Sequence, residues 1–279
     1  MRKLIASRPF RVIAGLIRQY FEDGVARSSA ELAYYLLFSI FPLLIVVNNL
    51  ISRLELDAEL VFQRFGLVLP AEVVGLFTDY LAYISGQDSG LLLWSGLFLT
   101  VYMVARAMRS LMRSVTRAYQ LERRGVVFVI TSFGLSLLLI MGIPVFLVLM
   151  VASGALQDLV GQYIDLSPQF VGLLHALGYF VGPVVLFVLL AAFYDLVGGK
   201  SYSFRMALPG AGFFVVIWTV ATLLFSYYVA NMANYSLLYG SIGAIMILML
   251  WLYLTAILLI LGGAFNRVLA QERRASDKQ

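Results

Sequence analysis

Hydrophobic positions along this chain come in long runs. The first, residues 32–51, reads LAYYLLFSIFPLLIVVNNLI and carries no charge. About twenty residues at 1.5 Å rise cross a hydrocarbon layer roughly 30 Å thick. Arg27 and Glu31 stop the run on one side and Arg53 on the other. A soluble helix seldom keeps apolar side chains all the way round for this length. The pattern therefore predicts a transmembrane helix. Pro42 lies at its centre, where neighbouring helices can satisfy the freed carbonyl, so a kink is expected there.

The same reading repeats along the chain. It predicts an all-α integral membrane protein: a six-transmembrane-helix bundle with an amphipathic N-terminal helix, a short-helix periplasmic lid and both termini cytoplasmic. Residues 1–29 form a cytoplasmic, interfacial segment. Within it, Ser7 and Pro9 open a helix over 8–26 whose Phe10, Ile13, Ile17 and Phe21 recur at helical spacing, with Arg8, Arg11 and Arg18 toward headgroups. This helix is either a lipid-sensing element or an ordinary interfacial anchor. The first crossing spans 30–51. Residues 52–89 form the lid, whose second helical pattern puts Val73, Phe77, Tyr80, Leu81 and Ile84 on one face. The second crossing, 90–108, runs without a breaker into a basic helix at 109–124. Further crossings fall at 125–152, 170–196, 207–230 and 240–265, and 266–279 is a basic tail. The whole chain is one membrane domain.

Composition agrees. Of 279 residues 62% are apolar and 13% charged, against about 25% charged in soluble domains. The mean hydropathy is +0.92. With no cysteine there is no disulfide framework and no thiolate metal site, and one histidine, His175, rules out a site needing two imidazoles. The net charge of +5 hides an asymmetry. On the predicted topology all basic residues except Arg53 and Arg64, 18 of 20, share the side of both termini. The positive-inside rule places that side, with both termini, in the cytoplasm of a multi-pass protein.

Candidate chemistry gathers at that inner side. From Arg106, at about 100° per residue, Arg109, Arg113, Arg117 and Arg124 fall at roughly 300°, 340°, 20° and 0°. A continuing helix would carry all five in one stripe. The stripe is either a binding strip for phosphate headgroups or an anionic substrate, or a set of snorkelling topology determinants. One aromatic, Tyr119, and no stacking pattern argue against nucleic acid. Glu31 and Asp195 lie at the cytoplasmic ends of their spans. A carboxylate at the hydrocarbon edge is expensive alone, so pairing with Arg106 and Arg109 is expected, as a functional site or as a structural bridge. The centres of the spans carry no charge, which weakens an ion pump. They hold Pro42 and Pro183, with Asn48 and Asn49 nearer the outside. Kinks there open an apolar cavity suited to a lipid tail, or serve packing alone. Gly178 and Gly182, and Gly240 and Ala244, are small pairs that allow close helix contact within one chain or in a homo-oligomer. Asn231, Asn234, Tyr235 and Tyr239 crowd the last outer turn as an interfacial belt. No catalytic group, metal ligand set or cofactor is expected.

Three stretches carry a resemblance: AYYLLFSIFPLL, FYDLVGGKSYSFRMALPGAGFFVVIW and YGSIGAIMILMLWLYLTAILLILGGAFN. Together they resemble the BrkB/YihY family of bacterial inner-membrane proteins, over essentially the whole chain. The resemblance implies six helices with both ends inside. The family's last motif usually has an acidic residue before its terminal Asn; here that place is Ala264, with Asn266 retained. Members have been labelled ribonuclease BN-like, virulence-associated or transporters of lipid-like envelope components. RNA hydrolysis needs a metal cage or paired acid–base groups in water, and this sequence supplies neither. The expected function is a transporter or flippase-like protein for a lipid or other amphiphile, with membrane lipids, anionic ones included, as partners. The alternative is a non-transporting scaffold that binds envelope machinery.

Overall fold

The computed structural model describes residues 8–53, 71–85, 90–121, 125–142, 168–199, 203–231 and 241–276. Among them every regular element is a helix: α1 Arg8–Glu22, α2 Val25–Arg53, α3 Ala71–Ser85, α4 Gly90–Ala118, α5 Val126–Gly142, α6 Pro168–Gly198, α7 Phe204–Asn231 and α8 Ser241–Ser276. Ser7, Arg124, Pro144, Asp158, Asp165, Lys200, Asn234, Tyr235, Tyr239 and Gly240 lie outside the described residues, as do the surroundings of Ile84, His175 and Gly178.

The chain is organised around its last helix. Leu248, Leu252, Ala256, Ile260, Ala264 and Val268 recur every four residues, and all are buried. Four residues turn a helix by about 400°, so this ridge winds slowly round the axis. The first half of α8 thereby meets α2 and α3 through Leu248 and Leu252, beside Val73, Phe77 and Leu81. The second half meets α4, α6 and α7 through Ala256 and Ile260. At 36 residues α8 is about 54 Å long, well beyond a hydrocarbon core. The segment read from sequence as a tail continues the helix to Ser276.

Antiparallel pairs fix the rest. α2 lies along α4, with Ser28 beside Arg117 and Tyr35 beside Arg106. α7 lies along α8, where Phe213 stacks on Phe265 and the Trp218 indole donates to Thr255 Oγ1 at 3.0 Å. Arg11 on α1 pairs with Glu272 on α8 at 2.9 Å. The start of α2, the ends of α4 and α8, the start of α7 and all of α1 therefore gather at one end of the bundle.

The exterior is apolar. Three described helices, Val25–Asn49, Phe204–Asn231 and Ile242–Arg273, are long and apolar enough to cross a membrane. The most hydrophobic window in α8 is only 22% buried, so most of it needs an apolar solvent. Phe98, Val127, Leu223 and Tyr227 are among the exposed large side chains.

Candidate functional site

The seam between α2 and α4 brings the predicted arginines onto α2 in order. Arg117 donates to the Asp23 carbonyl at 3.2 Å and to Ser28 Oγ at 3.4 Å. Arg113 pairs with Glu31 at 3.2 Å. Arg106 donates to the Tyr35 hydroxyl at 3.0 Å and lies over that ring at 5.3 Å. Arg109 is half-buried, and its Nε has no hydrogen-bond partner among the described residues. Four of the five predicted arginines thus share one helical face. The pairing expected of Glu31 goes to Arg113, because the α2–α4 register places those two level. Asp195, half-buried on α6, makes no ion pair among the described residues.

The helix stops before Arg124. Leu121 N–H donates to the Thr116 carbonyl at 3.0 Å and Gln120 N–H to the Arg117 carbonyl at 2.8 Å, with Gln120 at φ 52°. That is a Schellman closure with Gln in the left-handed position that Gly usually takes. It leaves the Ala118 carbonyl free to accept from Gln19 Nε2 at 2.7 Å and from Arg267 at 3.2 Å.

Beyond Arg106 the seam turns apolar and opens. A cavity of about 340 Å³ lies among Phe38, Phe41, Pro42, Ile45, Tyr80, Ser95, Gly96 and Leu99. Its size falls at the low end of the roughly 300–1,000 Å³ of small-molecule sites. α2 is continuous through Pro42, which withholds the N–H that the Phe38 carbonyl would accept. Tyr80 of α3 packs edge-on to Phe41 at 5.3 Å and closes one wall. Phe38 and Leu99 reach the outer surface of the bundle. The cavity therefore belongs to α2, α3 and α4. Pro183 on α6 is exposed and lines no part of it. Asn48 and Asn49 are half-buried, and Asn49 donates to its own helix at the Ile45 carbonyl, 3.0 Å away.

A second constellation holds the end where α4, α6, α7 and α8 meet. The Asn266 side chain is 1% exposed. Its Oδ1 accepts from the Gly210 N–H at 2.6 Å, and its Nδ2 donates to the Tyr119 hydroxyl at 3.0 Å and the Ala207 carbonyl at 3.3 Å. The amide thus grips backbone on both sides of Pro209, where a proline disturbs the helical ladder. Gly210 and Gly262 let α7 and α8 touch: a Cβ at Gly210 would overlap the Gly262 carbonyl and the Asn266 amide. The fully buried Tyr194 of α6 fits against Gly262 and donates to the Leu259 carbonyl at 2.7 Å. Gly182, one of the small residues expected to allow close contact within one chain or between copies, has no neighbour within 4 Å of a Cβ position among the described residues of this chain. The usable signal was a lone amide in an apolar run, LILGGAFN, and a Pro-Gly step in ALPGAG.

Among the described residues no three His, Cys, Asp or Glu stand together as metal ligands. The arrangement is a row of cations running into an apolar cavity, beside a packed polar clasp.

Comparison with known proteins gives one consistent picture. The family described as virulence factor BrkB matches residues 16–279. YfkH of Bacillus subtilis (strain 168), whose name carries a ribonuclease-like label, is 34% identical over 263 residues, covering 94% of this chain and 95% of YfkH. A UPF0761 membrane protein of Mannheimia succiniciproducens is 24% identical over 280 residues, covering 98% of this chain and 94% of that protein. Another, of Xanthomonas campestris pv. campestris (strain B100), is 24% identical, and this chain spans 58% of its length. No solved structure matches.

Proposed function

The chain belongs to the virulence factor BrkB family, and from that premise we propose that it moves an amphiphile, a lipid or another envelope component, across a bacterial inner membrane. It does so as a six-crossing, transporter or flippase-like bundle with both termini cytoplasmic and α3 on the periplasmic side. It works without a cofactor and without a catalytic step. The ribonuclease-like label of YfkH stays with that protein.

One observation carries this reading. Along a single seam, Arg117, Arg113 and Arg106 lead into the apolar cavity at Pro42. Charged groups followed within two turns by an apolar space match the shape of an anionic headgroup and its tail. Arginines near the inner surface each attract anionic lipid by about 1 kcal/mol. Two walls of the cavity reach the lipid-facing surface, so a tail can enter sideways.

Movement of headgroup-labelled anionic lipid between leaflets of reconstituted liposomes is the test. Native protein should move it, and Ile45→Trp, which fills the cavity, should slow it. Absence of movement by native protein, with the cavity variant indistinguishable from it, would overturn the transport reading. The scaffold reading has its own support: Tyr35, Glu31 and Ser28 already engage three of the arginines. It predicts no lipid movement by the native protein, with Glu31→Gln lowering thermal stability in detergent.

A further inference from the structure

α1 has three faces. Counting about 100° per residue from Val12, Gly15, Gln19 and Leu16 lie at roughly 300°, 340° and 40°. This face is docked. Val12 and Gln19 are buried, Gly15 sits against Val268 of α8, and Gln19 reaches Ala118 of α4. Ile13, Ile17, Phe10 and Phe21 fall at roughly 100°, 140°, 160° and 180°. They are between 47% and 74% exposed. Arg18, Arg11 and Glu22 form the third edge at roughly 240° to 280°. A helix docked on one side thus offers an unpartnered apolar stripe on another.

We infer that this stripe lies in the headgroup–acyl boundary of an anionic bilayer, fixing the end of α8 to the membrane surface. Depth is the first argument. α1 touches α8 at Val268 and Glu272, where its apolar run gives way to Asn266, Arg267, Glu272, Arg273 and Arg274. It touches α4 one residue past Arg117. α8 changes from apolar to charged at that level, which marks a membrane surface, and α4 is already charged there, having carried arginines from Arg106 onward. Charge is the second. Residues 1–22 carry Arg2, Lys3, Arg8, Arg11 and Arg18 against Glu22 alone, a balance that anionic headgroups complement. Size is the third. Four partly exposed side chains offer on the order of a few hundred Å², short of the roughly 800 Å² per partner of a specific protein interface. An apolar stripe edged by Arg11 and Arg18, which pair with Glu272 and Glu22, on a helix of net positive charge is the composition of a helix lying in the interface plane. This inference does not depend on lipid transport.

The chain has no cysteine, so single cysteines can be spin-labelled in the whole protein. Labels at Val12, Ile17, Arg18 and Phe21 would be read in vesicles of phosphatidylcholine, with and without phosphatidylglycerol. Ile17→Cys and Phe21→Cys should be reached by oxygen more than by an aqueous nickel complex. Arg18→Cys should show the reverse, and Val12→Cys should be shielded from both. Phosphatidylglycerol should move the two stripe labels deeper. Stripe labels as nickel-accessible as Arg18→Cys would overturn the inference, since the stripe would then face water. Shielding of the stripe from both reagents would overturn it too, because a protein surface, a second copy included, would then cover it. Depth unchanged by phosphatidylglycerol would overturn the assignment to anionic lipid. A Val12 label that is not shielded would overturn the docking on which the placement rests.

Discussion

Two ends of one bundle are built on opposite terms. Around Asn266, backbones touch: Gly210 and Gly262 leave no room for a methyl group, and the amide fills the space beside Pro209 with hydrogen bonds. Around Pro42, side chains stand apart and leave about 340 Å³. Both regions pair a proline with a glycine on a facing or adjacent helix. The outcome differs because one proline has a buried amide to grip its neighbouring carbonyl and N–H, and the other borders a cavity lined mostly by apolar side chains. A membrane helix is held by packing and hydrogen bonds, since lipid supplies no hydrophobic drive between helices. The end with both at close range is the fixed part, and the end beside the cavity is packed less closely.

The sharpest way to break this contrast is one methyl group at Gly210. Gly210→Ala places a Cβ into the Gly262 carbonyl, which is backbone and cannot rotate away. The expected cost exceeds about 3 kcal/mol, the top of the usual overpacking range, and the detergent melt should fall steeply or lose cooperativity. Asn266→Ala comes next. It removes three hydrogen bonds and leaves the Gly210 N–H without that acceptor. At about 1 kcal/mol for each bond, the expected loss is about 2–3 kcal/mol, read in the same melt. If either variant melts like the native protein, the clasp holds nothing.

What the sequence made legible follows from which constraints are local. Run length revealed membrane helices, because bilayer thickness acts on each segment alone. The 100° arithmetic put Arg106, Arg109, Arg113 and Arg117 on one face, because that depends on one helix. The choice of Glu31 by Arg113 rather than Arg106 depends on the register of α2 against α4, which no single helix encodes. The Asn266 site draws on α4, α7 and α8 at once. Pro42 and Pro183 look alike in the sequence, each inside an apolar run, yet one lines a cavity and the other faces outward. Where α4 ends was obscured because its closure uses Gln120 and not Gly.

The same substitution at the loose end should act with the opposite sign. A Cβ at Gly96 would meet Ile45 Cγ2 at 3.4 Å, an ordinary contact. Gly96 lies inside α4, where Gly is worse than Ala by up to about 1 kcal/mol. Gly96→Ala is therefore expected to stabilise by about 0.5–1 kcal/mol. Measured beside Gly210→Ala, it tests the contrast directly: two glycine-to-alanine changes that both destabilise would mean that the cavity end is also fully packed.

The smallest effect concerns Asp23, in the turn between α1 and α2, where Gly24 at φ 61° lets the chain reverse. Burial pushes its carboxyl above the usual range, and this outweighs the hydrogen bond from Gln19 and the attraction of Arg267 and Arg117. The usual value is about 3.9. Above that value the unfolded chain has released this proton while the folded one still holds it. Stability therefore falls as pH rises from about 4 through the raised value, and stays lower above it. Asp23→Asn cannot ionise and should lose this dependence. Thermal melts in detergent from about pH 4 to pH 7 should converge for the two proteins at the acid end, with the variant more stable at the neutral end. The reverse order at neutral pH would show that the arginines dominate. The α1–α2 turn would then join the tight end through charge, and the boundary between the two regions would move outward to α1.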